Sequence, residues 1–313
     1  MISAAYAIII GDLKDPHVEA VVEALPTSGL IVLDAESISS VLLSLDKSGM
    51  LLADVRGNTC RVSVDKQVRG WVRRLAPAGW DHGVVLGSHA SAVLASRLAL
   101  LASVLRDPTV KWLTAVDDLF AAENKIVQYR AALAVGIRVP DFIVDGASSK
   151  LGEKLGEPFV LKPLGPGNFV DSDGRQNVVF ARSVRVDDLE EVDLLSAPFL
   201  AQRMVRTERH FRVVTVEDKV WVAELEAEEL PMDWRAHAPA HHSFRGISGC
   251  SEIEGAATKL AATLRVGFSS QDWVLDHDGP AFLDLNPAGQ WLFLPSATSE
   301  PATAALSEWL RVD

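Results

Sequence analysis

Residues 281–290 read AFLDLNPAGQ, a segment that begins as a buried strand and ends as a loop. Residues i and i+2 of a strand share a face, so Asp284 and Asn286 point the same way from the tip of an oily strand. Pro287 forbids further ladder pairing, and Gly289 is expected to permit an unusual backbone turn. Two oxygen-bearing side chains at a strand end suit a hard divalent cation, and they equally suit an ordinary solvated turn. On these residues alone, the turn is the simpler reading.

Upstream lies a second apolar strand, Gln271–Leu275, separated from the first by the turn DHDG. An antiparallel pair would bring Asp272 beside Asp284 and Asn286. Two carboxylates and an amide oxygen are all acceptors and suit Mg²⁺, which keeps several waters and takes few protein ligands. A lone surface carboxylate at Asp272 is the competing reading. Lys162 sits in PFVLKP, flanked by apolar residues. An unpaired buried ammonium is costly, so it either snorkels to a surface or meets an anion such as phosphate. Lys125, at the start of a helix, adds a second cation, although helix-terminal lysines are mostly solvated. In FLAQRMVRTERHFRVV (199–214), arginines recur every third residue, which fits neither a helix face nor a strand face. Arg212 alone lies in a clean strand and is the one assigned a fixed anion contact.

The whole chain sets the bounds. Its 313 residues are too many for one ordinary core, and 48% hydrophobic content is that of a globular protein. A net charge of −12 argues against binding nucleic acid by phosphate neutralisation. Cys60 and Cys250 stand far apart in no metal-type spacing, which points to a reducing cytoplasm. The apolar start AAYAIII is short for a signal peptide, and Ala92–Leu105 is broken by Arg97, so no membrane role is expected.

Strand Tyr6–Ile10, helix Val18–Leu25 and strand Leu30–Leu33 suggest a parallel α/β layer. The turn GDLKDPH between the first two is not a glycine-rich phosphate loop, so this layer is assigned no nucleotide. Residues 50–74 alternate as strands, and their Arg56, Arg61, Lys66, Arg69, Arg73 and Arg74 read as a solvated surface, with peptide binding as the alternative. Helices are expected at Ala90–Leu105, at Glu123–Val135 with Ile126, Tyr129 and Leu133 on one stripe, and at Ser251–Arg265 with Ile253, Leu260 and Leu264 inward. A hairpin joins Phe211–Val216 to Val220–Leu225. The acidic run Glu224, Glu226, Glu228 and Glu229 reads as a hydrated edge. The order is an α/β domain to about residue 110, then a two-lobed α+β unit.

This order of features resembles the ATP-grasp superfamily, and is closer still to the microviridin-type graspetide ligases that crosslink ribosomal peptides. The landmarks are LDLNPAGQWLFL with its NPxGQW pattern, DWR at Asp233–Arg235, and GWVRRL at Gly70–Leu75. The likeness runs from Tyr6 to near Leu310. It implies a pre-ATP-grasp α/β domain (1–110), a central lobe (111–200) and a C-terminal lobe (201–313), with ATP between the two lobes. Lys125 and Lys162 would contact ATP phosphates, Gln202, Arg203, Met204 and Val205 would form the hinge bordering adenine, and Glu208 would take the ribose hydroxyls. Asp272, Asp284 and Asn286 would ligate Mg²⁺. Arg212 would face the transferring phosphate or acyl phosphate, and Arg235 the acceptor side. The glycine-rich segment LGPGNFVDSDGRQN (164–177) would be a mobile lid.

Two departures stand out: many ATP-grasp enzymes have Glu where Asp284 stands, and His210 occupies a position where an acid is usual. The implied activity joins Asp or Glu side chains of a precursor peptide, bound through leader and core, to Thr/Ser hydroxyls or a Lys amine. The implied protein is a cytoplasmic homodimer. A ligase acting on free amino acids or another small carboxylate, and a nucleotide-binding module without turnover, remain as alternatives. His237, His241 and His242 are given no role.

Overall fold

The sequence AIII at Ala7–Ile10 is buried throughout, as a strand covered on both faces must be. In the computed structural model, which describes residues 2–63, 67–77, 79–164, 168–170, 175–189, 198–228 and 230–311, this strand lies inside a parallel sheet. Leu30–Leu33 pairs on one side, Val68–Val72 on the other, and Val110–Trp112 completes the sheet. The intervening helix is Pro16–Glu23, started by Asp15, whose carboxylate accepts from the His17 N–H, with proline in its first turn. A second sheet, ordered Ser3–Ala4, Thr59–Val62, Gly49–Ala53 and Leu42–Asp46, packs beside it.

Beyond residue 112 the sheets are antiparallel. Phe159–Pro163 lies between Arg182–Val184 and Phe199–Arg203, with Phe142–Ile143 at the far edge. Helix Ser148–Leu155 covers this sheet through Leu151 and Leu155. The largest sheet has the order Arg245–Ile247, Lys219–Glu226, Arg209–Val216, Phe268–Asp276, Gly279–Asn286. Alternation along Arg209–Val216 sends Phe211 and Val213 into a core shared with helices Lys125–Ala134 and Ser251–Thr263. Val214 and Val216 enter the opposite core, which helix Ser296–Leu310 shares with Ile9 and Trp71 of the parallel sheet. The α/β unit is thus fused to the back of the large sheet.

Four expectations change. Arg73 is 2% exposed, so the basic run at 50–74 is not uniformly solvated; Lys66 of that run lies outside the described residues. The buried stripe of Lys125–Ala134 is Gln128, Tyr129 and Ala132, whereas Leu133 faces solvent. That helix starts at Lys125 because Asn124 caps it, and Glu123 instead ends the short helix Val116–Ala122. Strand Lys219–Glu226 is flanked by Arg245–Ile247, so Glu224 meets Arg245 across a ladder rather than an open edge; Glu229 lies outside the described residues. The expected lid falls on 164–177, where Asn168–Val170 pairs with Gln176–Val178 and residues 165–167 and 171–174 lie outside the described residues.

Candidate active site

The turn at residues 276–279 sets Asp272 directly opposite Asp284, and the next ladder sets Arg212 directly opposite Asp272. Like charges facing each other across a strand pair are unfavourable by themselves. Here each carboxylate has its own cation. Arg212 Nη1 donates to Asp272 Oδ1 at 2.8 Å, and Lys125 Nζ donates to Asp284 Oδ1 at 2.9 Å. The row Arg212–Asp272–Asp284–Lys125 therefore spans three strands and a helix. Asn286 stands opposite Ser270, is exposed, and its Oδ1 accepts from the Ala288 N–H at 2.9 Å, so it also closes a turn.

Lys125 reaches Asp284 because its helix is stitched to the Gly279–Asn286 strand. Gln128 Nε2 donates to Leu285 O at 2.7 Å, and its Oε1 accepts from the Leu285 N–H at 3.0 Å. Tyr129 donates its hydroxyl proton to Leu283 O at 2.8 Å. The same phenol accepts from Gln202 Nε2 at 3.0 Å and from Lys162 Nζ at 3.5 Å, which connects the two lobes. Burial raises the Tyr129 pKa well above its ordinary value, so the phenol stays protonated. Neither Gln128 nor Tyr129 is identified as functional by the sequence. Two successive polar-tipped residues, QY, on the inward face of a helix are the signal that could have marked them.

Between the lobes is a cleft of about 570 Å³, within the usual range of roughly 300–1,000 Å³ for small-ligand sites. Lys125, Lys162, Gln202, Arg203, Met204, Val205, Arg235, Asp272, Asp284 and Asn286 all line it. Arg212 does not line it and acts from behind Asp272. Glu208 is exposed and outside the lining, so the structure does not bring it to the other candidates. Burial above all, with Lys125 and Arg235 adding to it and Asp284 pulling the other way, brings the Lys162 ammonium down to about 8. The Gln202 side chain is buried; Arg203 turns away to pair with Asp141 at 2.9 Å.

DWR closes on itself. Arg235 Nε and Nη2 each donate to the Asp233 carboxylate at 2.7 Å, a bidentate fork. Burial opposes the Asp233 charge, yet that fork holds its carboxyl below the ordinary range. Trp234 anchors the motif among Phe244, His241 and Phe293.

The loop after Asn286 is gripped from the α/β unit. Arg73 Nη1 donates to Ala288 O and, at 3.5 Å, to Gly289 O, while Arg212 Nη2 donates to Gln290 O at 3.1 Å. Asp15 pairs with Arg73 at 3.1 Å. Burial works against the Asp15 charge, but hydrogen bonds from His17 and the Arg73 guanidinium bring its pKa down to about 2. His17 Nε2 accepts from the Trp291 N–H at 3.3 Å, which leaves Nδ1 to donate to Asp15 at 3.0 Å. Burial lowers the His17 pKa, in keeping with that neutral tautomer. Gly289 is required for closeness rather than for an unusual turn. It lacks a positive φ, and a Cβ there would lie 2.4 Å from the Ser270 Cβ.

No family model matches this sequence, and no curated protein matches it. Solved structures do. A Chryseobacterium gregarium RiPP-associated ATP-grasp ligase, in complex with ADP and a leader and core peptide, superposes with a TM-score of 0.80 at 18% identity, covering 98% of this chain and 96% of that one. The macrocyclase MdnC from Microcystis aeruginosa, bound with precursor peptide MdnA, gives 0.79 at 16% identity over 97% and 98%. The ATP-grasp ligase PsnB, complexed with a minimal precursor, gives 0.76 at 17% identity over 98% of each chain. This chain has the ATP-grasp fold. The cleft described above is the groove between the two lobes of that fold.

Proposed function

We propose that this chain is an ADP-forming, ATP-dependent ligase that joins Asp or Glu side chains of a ribosomal precursor peptide to Thr/Ser hydroxyls or a Lys amine of the same peptide, closing macrocycles. The observation that carries this reading is the row of Asp272 and Asp284, opposed across one ladder and matched by Arg212 and Lys125, with Lys162 on the facing wall. Two carboxylates and an amide oxygen converging on one side of a cleft fit a magnesium ion. Asp272, Asp284 and Asn286 would hold it, and bound Mg²⁺ would offset phosphate charge. The likeness to structures holding ADP, Mg and precursor peptides supports the same assignment.

A carboxylate does not condense with an alcohol or amine in water unless its oxygen is made a leaving group. In the proposed first step a substrate carboxylate oxygen attacks the γ-phosphorus of ATP, ADP leaves, and an acyl phosphate forms. Such a transfer needs positioning and charge neutralisation. Lys125 and Lys162 supply cations for the phosphates. Backbone groups at Gln202–Val205 border the base, Arg212 steadies the acidic row from behind, and Arg235 faces the acceptor. In the second step the acceptor displaces phosphate. Leader and core both bind, and the enzyme acts in the cytoplasm as a homodimer. Among the described residues no helix is long and apolar enough to cross a membrane. Helix His89–Leu105 buries only Leu101, Val104 and Leu105, leaving Val93 and Leu98 exposed for a second copy.

Incubation with ATP, Mg²⁺ and the short acid- and Ser/Thr/Lys-rich peptide encoded beside its gene should lower peptide mass by one water per crosslink. Unchanged mass, with ADP release driven by free amino acids, would move the assignment to a small-carboxylate ligase. Tight ATP binding with no phosphate release would make the chain a nucleotide-binding module.

A further inference from the structure

His210 lines the cleft, is 8% exposed, and has no hydrogen-bond partner among the described residues. Its ring nitrogens are therefore open to the cleft rather than sealed in the core. His210 stands two residues before Arg212, on the strand face that carries Asp272 next door. Directly across its two ladders are Leu225 and Val274, which carry no charge. The charges that act on it are Asp272 and Asp233, and each is already paired, with Arg212 and Arg235 respectively. Burial pushes the imidazole below its ordinary value despite those two carboxylates, so it is a neutral base at neutral pH. The remaining basic groups of the lining are the ammoniums Lys125 and Lys162 and the guanidiniums Arg203 and Arg235, which have no proton-accepting role while charged. Glu123, at the cleft rim, has no ion-pair partner among the described residues; partial burial raises its carboxyl above the ordinary range, yet its side chain stands open to solvent.

We propose that His210 is the catalytic base of the second half-reaction, accepting the proton of the hydroxyl or amine that attacks the acyl phosphate. The proposal rests on the ligase reading above and deepens it. The acceptor oxygen or nitrogen forms a bond to the acyl carbon, and the bond from that carbon to the phosphate oxygen breaks. Phosphate leaves with the electron pair, and the acceptor's proton passes to the free imidazole nitrogen. Asp233, held by Arg235, then offsets the charge of the imidazolium.

The test uses the full chain with ATP, Mg²⁺ and the neighbouring-gene peptide, with and without hydroxylamine, which traps acyl phosphates as hydroxamates without help from a protein base. His210→Gln should cut crosslinking by about a hundredfold, the usual scale for general-base catalysis, while peptide hydroxamate still accumulates. His210→Glu, which restores a proton acceptor, should recover much of the rate. Wild-type crosslinking should fall as pH drops below the ordinary imidazole range, and the Gln variant should lack that limb. Near-wild-type crosslinking by the Gln variant, or parallel loss of crosslink and hydroxamate, would overturn the proposal. Absence of hydroxamate from the wild type would overturn the ligase reading and the proposal with it.

Discussion

Two of this molecule's clusters of aspartate, histidine and arginine behave differently. Around Asp15, His17 and Arg73, both histidine nitrogens are engaged and the guanidinium reaches two backbone carbonyls. Around Asp272, His210 and Arg212, the acid and the arginine are paired, but the histidine has no hydrogen-bond partner among the described residues and faces a cleft. Residue type does not separate structure from chemistry here; whether the histidine is engaged does. A network that closes on itself specifies packing, whereas one left open on one side is available to a ligand.

The contrast is broken most forcefully at the open cluster. Asp284→Ala should lower crosslinking by a factor on the order of 10²–10³, the scale seen when one preorganised electrostatic group is lost, with circular dichroism unchanged. Wild-type turnover in that variant would detach the acidic row from catalysis. At the closed cluster the same kind of cut should act on folding instead. Arg73→Met leaves half-buried Asp15 and the Ala288 and Gly289 carbonyls without that donor and should cost about 1–3 kcal/mol in urea unfolding, the penalty of a lost partner. If that variant melts like the wild type, the network is ornamental.

A smaller effect concerns Lys162. In the proposed role its ammonium, near 8 in the open cleft, must be charged to meet phosphate, so nucleotide binding would raise its pKa. Affinity is then fully present below pH 8 and falls as pH rises above it, by up to about tenfold per unit for one proton. Calorimetry between pH 7 and 9 should show that slope, and Lys162→Gln should remove it. Smallest is the histidine of the closed cluster. His17 has a folded pKa below its ordinary 6.5, so its contribution is present above 6.5 and is lost as pH falls through that value toward the folded one. Melting temperature should drop by about 2–4 °C per kcal/mol withdrawn, and His17→Gln should flatten the dependence.

Much of the large sheet was legible because alternation and turn residues are local. LDLN, DHDG and QDWV suffice to pair Asp272 with Asp284, and an apolar run around a lysine suffices to mark Lys162. What was not legible depends on distant partners. His17 meets Trp291 across 274 positions, and no local pattern announces it. Arg73 looks like its exposed neighbour Arg74 until the fold delivers the Ala288 and Gly289 carbonyls to it. Tyr129 reads as a packing residue because its ring is one; its hydroxyl acquires meaning only when Lys162 and Gln202 arrive from the other lobe. Gly289 was noticed for the wrong virtue, since the neighbour that excludes a side chain comes from another strand.

The stitching of Gln128 and Tyr129 has one more outcome. Gly279–Asn286 is the outermost strand of its sheet, and a bare outer strand invites any extended chain to dock along it. Here Phe282 gives its N–H to Arg138 O, Leu283 O is taken by Tyr129, and both polar groups of Leu285 are taken by Gln128. The rim bearing Asp284 is therefore sealed against strand addition. An extended chain could pair along that rim only by first peeling a helix away.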